Sequence, residues 1–269
     1  MTIARAVPIA ALLALVSTTA MAQQRTGPRP QPGQVRTPAR PMPKHVPVER
    51  LHVEIDGIYH AATQSMTDSA SPTVYAETAS LTASYDVPAG TAFSGSATLR
   101  LWRNVGIGVG VTSFSTSFPA SVTGSIPYPF QFNQARTFEG NVSSLERKEL
   151  AIAMHLRGMF QLSPRLTASV FAGPSRLSLT QDVITAIQYS EAYPFDTATF
   201  SAVAIGTGKV NQWAASAGAD LAYYVTRNVG IGVGAKYSGA TAELISLGGA
   251  GLSSKIGGAE LGGGLRIRF

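Results

Sequence analysis

Five acids and five bases occupy the small-residue face of strand-like segments: Glu54, Asp56, Glu149, Asp220 and Glu260 against Arg100, Arg157, Lys236, Arg266 and Arg268. Residues that alternate with period two lie on opposite faces of a strand. Leu51, Val53, Ile55, Gly57 and Tyr59 alternate in this way with His52, Glu54, Asp56, Ile58 and His60. Opposite charges gathered inside a narrow tube are expected to pair into a hydrogen-bonded plug. Arg268, Glu149 and Lys236 are the ones placed to meet water at the rims instead. Catalytic patterns are thin. His60, Ser65 and Glu77 are loose candidates for a nucleophile and base but form no motif, and His155, on a later strand, faces inward. Histidines are scattered without metal-ligand spacing and cysteine is absent, so no metal, cofactor, thiol chemistry or disulfide is expected.

The elements that must position these charges are strands. The first runs from Leu51 to about Ala61, and burying Glu54 and Asp56 in lipid would cost about 2–4 kcal/mol each near the midplane, somewhat less for acids. Those two must therefore face the lumen. Phe93 to Trp102 follows, with Phe93, Gly95, Ala97, Leu99 and Leu101 outward and Ser94, Ser96, Thr98, Arg100 and Trp102 inward. Leu150, Ile152, Met154, Leu156, Phe160 and Leu162 face outward on the fourth strand. Trp213, Ala215, Ala217, Ala219, Leu221, Tyr223 and Val225 do so on the sixth. Gly173-Pro174 is expected to bulge the fifth strand or end its pairing.

Arg103-Asn104-Val105-Gly106-Ile107-Gly108-Val109-Gly110 recurs identically at residues 227–234. A nucleotide-binding glycine loop would need a helix after it, and neither copy is followed by a helical pattern. The alternation reads instead as a lipid-facing strand whose bare inner face admits side chains from opposite walls. Three short turns, at residues 103–104, 162–165 and 226–228, alternate with four long connections at about 62–91, 118–147, 177–208 and 239–255. Seven connections make eight strands, and the asymmetry of short and long is that of bacterial outer-membrane barrels, with short turns and both termini periplasmic. The fold class expected is all-β, an eight-stranded antiparallel up-and-down transmembrane β-barrel.

Residues 1–22 have the pattern of a secretory signal: Arg5, an apolar stretch from Ala6 to Val16, and Ala20-Met21-Ala22 as cleavage site. Residues 23–48 are rich in Pro and Arg and form an extended linker, either a spacer or a basic strip that meets anionic polymer in the periplasm. The barrel domain occupies residues 49–269. Of the 21 Lys and Arg, one lies in the signal and five in the linker, so 15 remain against the 15 Asp and Glu, all of which follow residue 48. The basic balance therefore belongs to signal and linker, and nucleic acid is not an expected partner.

Leu265, Ile267 and Phe269 alternate up to the C-terminal residue, which resembles the C-terminal assembly signal of bacterial outer-membrane proteins. With the signal and the turn asymmetry, residues 50–269 resemble the small OmpA/OmpX-like barrels. Residues 171–175 (Phe-Ala-Gly-Pro-Ser), 193–196 (Tyr-Pro-Phe-Asp) and 262–269 are similar to the family of bacterial "outer membrane beta-barrel" proteins. The resemblance implies outer-membrane lipid, lipopolysaccharide and the barrel assembly machinery as partners, with peptidoglycan a candidate partner of the linker. It implies a non-enzymatic protein with a structural or adhesin-like role through its external loops. Phe118, Tyr128, Phe130, Phe132, Phe138, Tyr189, Tyr193 and Phe195 supply those loops with aromatics, which either bind a partner or pack together as a lid. Passage of small or hydrophobic molecules, through a lateral gap at Gly173-Pro174, is the alternative, and a lipid A-modifying enzyme a third. A plugged lumen is expected to give no large steady conductance.

Overall fold

The structure, a computed structural model, describes residues 49–269; the signal and linker lie outside the described residues. Its strands are β1 (Leu51–His60), β2 (Gln64–Ala70), β3 (Thr73–Val74), β4 (Glu77–Thr78), β5 (Ser80–Val87), β6 (Gly90–Arg100), β7 (Val105–Pro127), β8 (Ala135–Gln161), β9 (Leu166–Glu191), β10 (Ala198–Tyr224), β11 (Val229–Ile245) and β12 (Gly251–Arg268). Eight of them close a ring in the order β1, β6, β7, β8, β9, β10, β11, β12 and back to β1, with every neighbouring pair antiparallel. Closure rests on the β1–β12 ladder, from His52 opposite Arg268 to His60 opposite Glu260. Beside it, the backbone N–H of Phe269 donates to the carbonyl of Leu51 (2.9 Å).

Period-two patterning explains the lower part of the ring. Leu150, Ile152, Met154, Leu156 and Phe160 of β8 are exposed, as are Val105, Ile107, Val109 and Val111 of β7 and Ile231 and Val233 of β11. A closed ring leaves no unpaired edge, so such an apolar belt can face hydrocarbon. The repeated glycines leave the inner face bare for neighbours. A Cβ on Gly232 would come within 2.7 Å of Arg266 Nε, and one on Gly108 within 2.6 Å of Thr98 Oγ1.

The strands do not stop at the belt. β8 is 27 residues long and β10 also 27, where about 9–11 suffice to cross a bilayer. Most of the expected long loops are strand, and the connections shrink to residues 128–134, 192–197 and 246–250. The expected loop at residues 62–91 instead folds back as β2 and β5, and β5 pairs with β7 from Ser80 opposite Ser125 to Tyr85 opposite Ala120. In this upper region the facing inverts. Phe118, Ala120, Val122 and Ile126 of β7 are buried, and they join Leu81, Tyr85, Leu145, Leu177, Leu179, Val183, Leu244, Leu252 and Ile256 in one apolar core. Alternation persists there with the apolar residues inside, because water now lies outside.

Two sequence expectations are corrected locally. Trp102 does not face inward: β6 ends at Arg100, and Trp102 sits on the tight turn, 80 % exposed. Gly173-Pro174 neither bulges nor ends β9. Pro174 stays opposite Ala215 of β10 in an unbroken register, and only the β8 ladder lapses beside it, between the Ala153–Ser175 and Leu156–Ala172 pairs, without a register shift. Proline removes one donor, but the close backbone approach that glycine permits at residue 173 holds the strands together. The gap lies elsewhere. Above His60 and Glu260 no ladder joins β2 to β12, and above Ser216 and Ser238 none joins β10 to β11, among the described residues.

Candidate functional site

The lumen charges come from six strands, and most of them form linked groups. Arg157 of β8 pairs through both Nη atoms with Glu54 of β1, which also accepts from Ser96 Oγ (2.7 Å). Arg266 of β12 reaches three acids: Asp56 (2.6 Å), Asp220 (2.5 Å) and, at 3.9 Å, Glu54. Lys236 of β11 lies 2.8 Å from Glu260 and donates to Thr112 Oγ1 at 2.6 Å. A planar guanidinium held by carboxylates on different strands ties opposite walls together. His155 packs within the group, 3.3 Å from Thr98 Oγ1 and against the Phe171 ring. The space left between these side chains is about 80 Å³, enough for a few waters. The interior of an eight-stranded barrel is filled in just this manner.

Four of the ten charges sit differently from the sequence expectation. Arg268, expected to meet water at a rim, is buried and paired instead. Its guanidinium lies 3.8 Å over the Tyr224 ring and 2.9 Å from Glu49, the first described residue. Arg100 has no carboxylate partner among the described residues and lies 3.8 Å from Met159 Sδ. Glu149 and Lys236, expected to meet water, are both paired. Glu149 belongs to an upper group that sequence reading missed. Arg147 pairs with it at 2.6 Å, bonds Gln181, and donates to Ser254 Oγ at 2.9 Å, while Gly257 N donates to Glu149 (2.9 Å). The signal was present: Leu145, Arg147 and Glu149 continue the inward alternation of β8 past the point at which the strand was expected to begin.

The loose catalytic candidates are not brought together. His60 stacks on Phe114 inside the barrel (centroids 4.6 Å apart), Ser65 Oγ donates to Asp86 at 2.6 Å, and Glu77 accepts from the backbone of Asn133 at 2.8 Å.

At the end of the barrel far from Glu49 and Phe269 the aromatics divide. Phe118 and Phe138 are buried, with Phe138 stacked on Tyr189. Tyr128, Phe130, Phe195 and Tyr193 form a chain of edge-on contacts at 5.7–6.2 Å across two hairpin tips. Arg136, also missed from sequence, clamps the tips. It pairs with Glu191, donates to the carbonyls of Phe195 (2.7 Å) and Pro127 (2.6 Å), and lies 5.6 Å over Tyr128. Tyr75 joins from the β3–β4 turn, donating to Glu191 at 2.8 Å, and that bond raises its phenol pKa. Phe132 (75 % exposed) and Tyr193 (84 %) project from this clamped platform.

No protein-family model matches the chain, and no curated protein sequence does. Among solved structures it is similar to Neisserial surface protein A, at 13 % identity over 81 % of this chain and 97 % of that one, with a TM-score of 0.43. It is also similar to the outer membrane protein OprG of Pseudomonas aeruginosa (11 % identity, 82 % and 96 % covered, TM-score 0.47) and to the outer membrane protease OmpT of Escherichia coli (11 %, 82 % and 97 %, 0.44). The chain's own closed ring and apolar belt make it an eight-stranded antiparallel β-barrel of the outer-membrane type.

Proposed function

We propose that the protein is a non-enzymatic integral protein of the bacterial outer membrane that works as a surface-interaction scaffold. Its termini and short turns lie in the periplasm, and its long hairpins stand outside the cell. The observation that carries this reading is the clamped tip: exposed Phe130, Phe132 and Tyr193 on hairpins that Arg136 binds to one another. Large aromatics held rigid and half-solvated lose little entropy on binding and dominate interface energetics. A rigid stalk also suits a surface protein that must reach beyond lipopolysaccharide. The lumen network supports a plugged scaffold rather than an open pore.

Replacing residues 128–134 and 192–197 by short turns tests the reading. Binding of the expressing cells to host cells, matrix proteins and phage is expected to fall at least tenfold for one of these targets, with heat-modifiable gel migration kept. Unchanged binding to all three would remove the surface-interaction role. Planar-bilayer recordings are expected to show no stable nanosiemens conductance.

A further inference from the structure

The two gaps in the upper wall leave the β11–β12 hairpin without a ladder to either neighbour. Its tip is tied to β2 by the backbone N–H of Leu247 donating to Asp68 at 2.7 Å, and its base by the β1–β12 ladder. Between those ties Gly257 and Gly258 of β12 take φ angles of 77° and 154°, which suit glycine. The opening encloses about 490 Å³, within the roughly 300–1,000 Å³ of small-ligand sites.

Its lining combines outward residues of β11 and β12, such as Tyr237, Thr241 and Lys255, with inward ones such as Phe114, Ala240 and Ile256. The opening therefore passes through the wall from the outer surface into the barrel. Val87, Phe114, Ala240 and Ile256 give its inner part an apolar surface beside the paired Arg147 and Glu149, and the stacked His60 and Phe114 rings close its floor above the lumen charges. Glu149 is the one acid in the lining, and Arg147 holds it at 2.6 Å. Lys255 is then the unneutralised charge at the mouth. Tyr237 and Ala259, beside the opening, are the last members of the apolar belt on β11 and β12, so the mouth sits at the level of lipid headgroups.

We propose that this lateral opening between β2 and β12 is a binding site for a single-chain anionic amphiphile, with the alkyl tail inside the wall and a carboxylate or phosphate head on Lys255. A tail lying in the plane of the bilayer can enter such a mouth sideways without crossing water. A carboxylate head implies a free fatty acid and a phosphate head a lysophospholipid. Both carry the charge that Lys255 selects.

The test uses the full chain refolded in detergent, where binding does not depend on which way the barrel faces a membrane. Failure of the orientation proposed above would therefore not alter the result. Dodecanoate bearing a terminal diazirine is photolysed on the protein and the labelled residues are mapped. Saturable labelling is expected within residues 63–64, 87, 114 and 256. Lys255→Glu is expected to weaken it at least fivefold, and Ala240→Trp, which fills the inner part, to abolish it, with both variants still heat-modifiable. Each methylene removed from the probe is expected to cost about fourfold in affinity. Competition by dodecanoate or by lysophosphatidylglycerol, whichever acts at the lower concentration, identifies the head. Labelling confined to belt residues such as Leu150 or Val233, labelling of folded Ala240→Trp equal to wild type, or equal competition by neutral dodecyl maltoside would each overturn the proposal.

Discussion

Along one strand the barrel reverses itself. On β7 the odd positions Val105, Ile107, Val109 and Val111 face out and are apolar, over glycines at 106, 108 and 110. Ten residues further the even positions Phe118, Ala120, Val122 and Ile126 face in and are apolar, while Ser121, Thr123 and Ser125 face out. Pleat direction stays constant and only the chemistry changes sides. The lower half is held by ion pairs inside and lipid outside, the upper half by an apolar core inside and water outside. The solvent on the outer face decides which face a strand makes apolar, and a barrel that leaves the membrane must acquire the core of a water-soluble protein.

The two halves are therefore expected to break differently. The largest effect is predicted for Arg266→Leu, which leaves Asp56 and Asp220 buried without their cation and should cost about 3–5 kcal/mol, read as a lowered urea midpoint in lipid vesicles. Replacing Glu54 and Arg157 together by Leu should cost less than either single change, because no charge is then stranded. A loss for the double variant equal to the sum of the singles would mean that the two residues are not energetically coupled.

In the upper half, Phe118→Ala or Leu244→Ala should cost about 2–5 kcal/mol by opening a cavity. That loss should appear as faster hydrogen exchange in residues 118–147 and 177–208 while the belt stays protected. Exchange that rises equally in the belt would mean that the halves unfold as one.

A smaller effect separates them by pH. Burial pushes the Tyr85 hydroxyl up to about 12, and it accepts a hydrogen bond from Ile184 N at 3.0 Å. The unfolded chain ionises near the usual tyrosine value of about 10, so the unfolded state loses its proton first. Stability of the upper core should be complete below pH 10 and fall as pH rises toward 12. Tyr85→Phe should reduce that fall, measured by near-ultraviolet dichroism. Smallest of all, Lys148→Ala removes a solvent-exposed pair with Glu146 (2.6 Å) and should leave the unfolding midpoint unchanged.

The lower half was legible in sequence because lipid outside and charge inside give alternation its highest contrast. The three tight turns and the closing strand could be placed from it, whereas Arg268, Glu149 and Lys236, expected to meet water, are paired. Above the belt the contrast weakens. Serine, threonine and glycine alternate with single apolar residues, a pattern that resembles loop unless the inverted phase is noticed, so Phe118 and Phe138 were read as loop aromatics. Arg147 and Arg136 lay in those supposed loops and went unseen for the same reason. The seam between β2 and β12 had no signal of its own. It follows from two ladders ending at different heights, which no single segment encodes.

The reversal itself is open to direct measurement. The chain has no cysteine, so single cysteines can carry spin labels at the outward positions 139, 141, 146, 148, 150, 152, 154 and 156 of β8. In lipid vesicles, collision with oxygen should dominate from 150 to 156 and collision with a water-soluble nickel chelate from 139 to 148, while a label at the inward position 145 should be shielded from both. Oxygen dominance continuing to 139, or free nickel access at 145, would contradict an upper half built as a water-surrounded core.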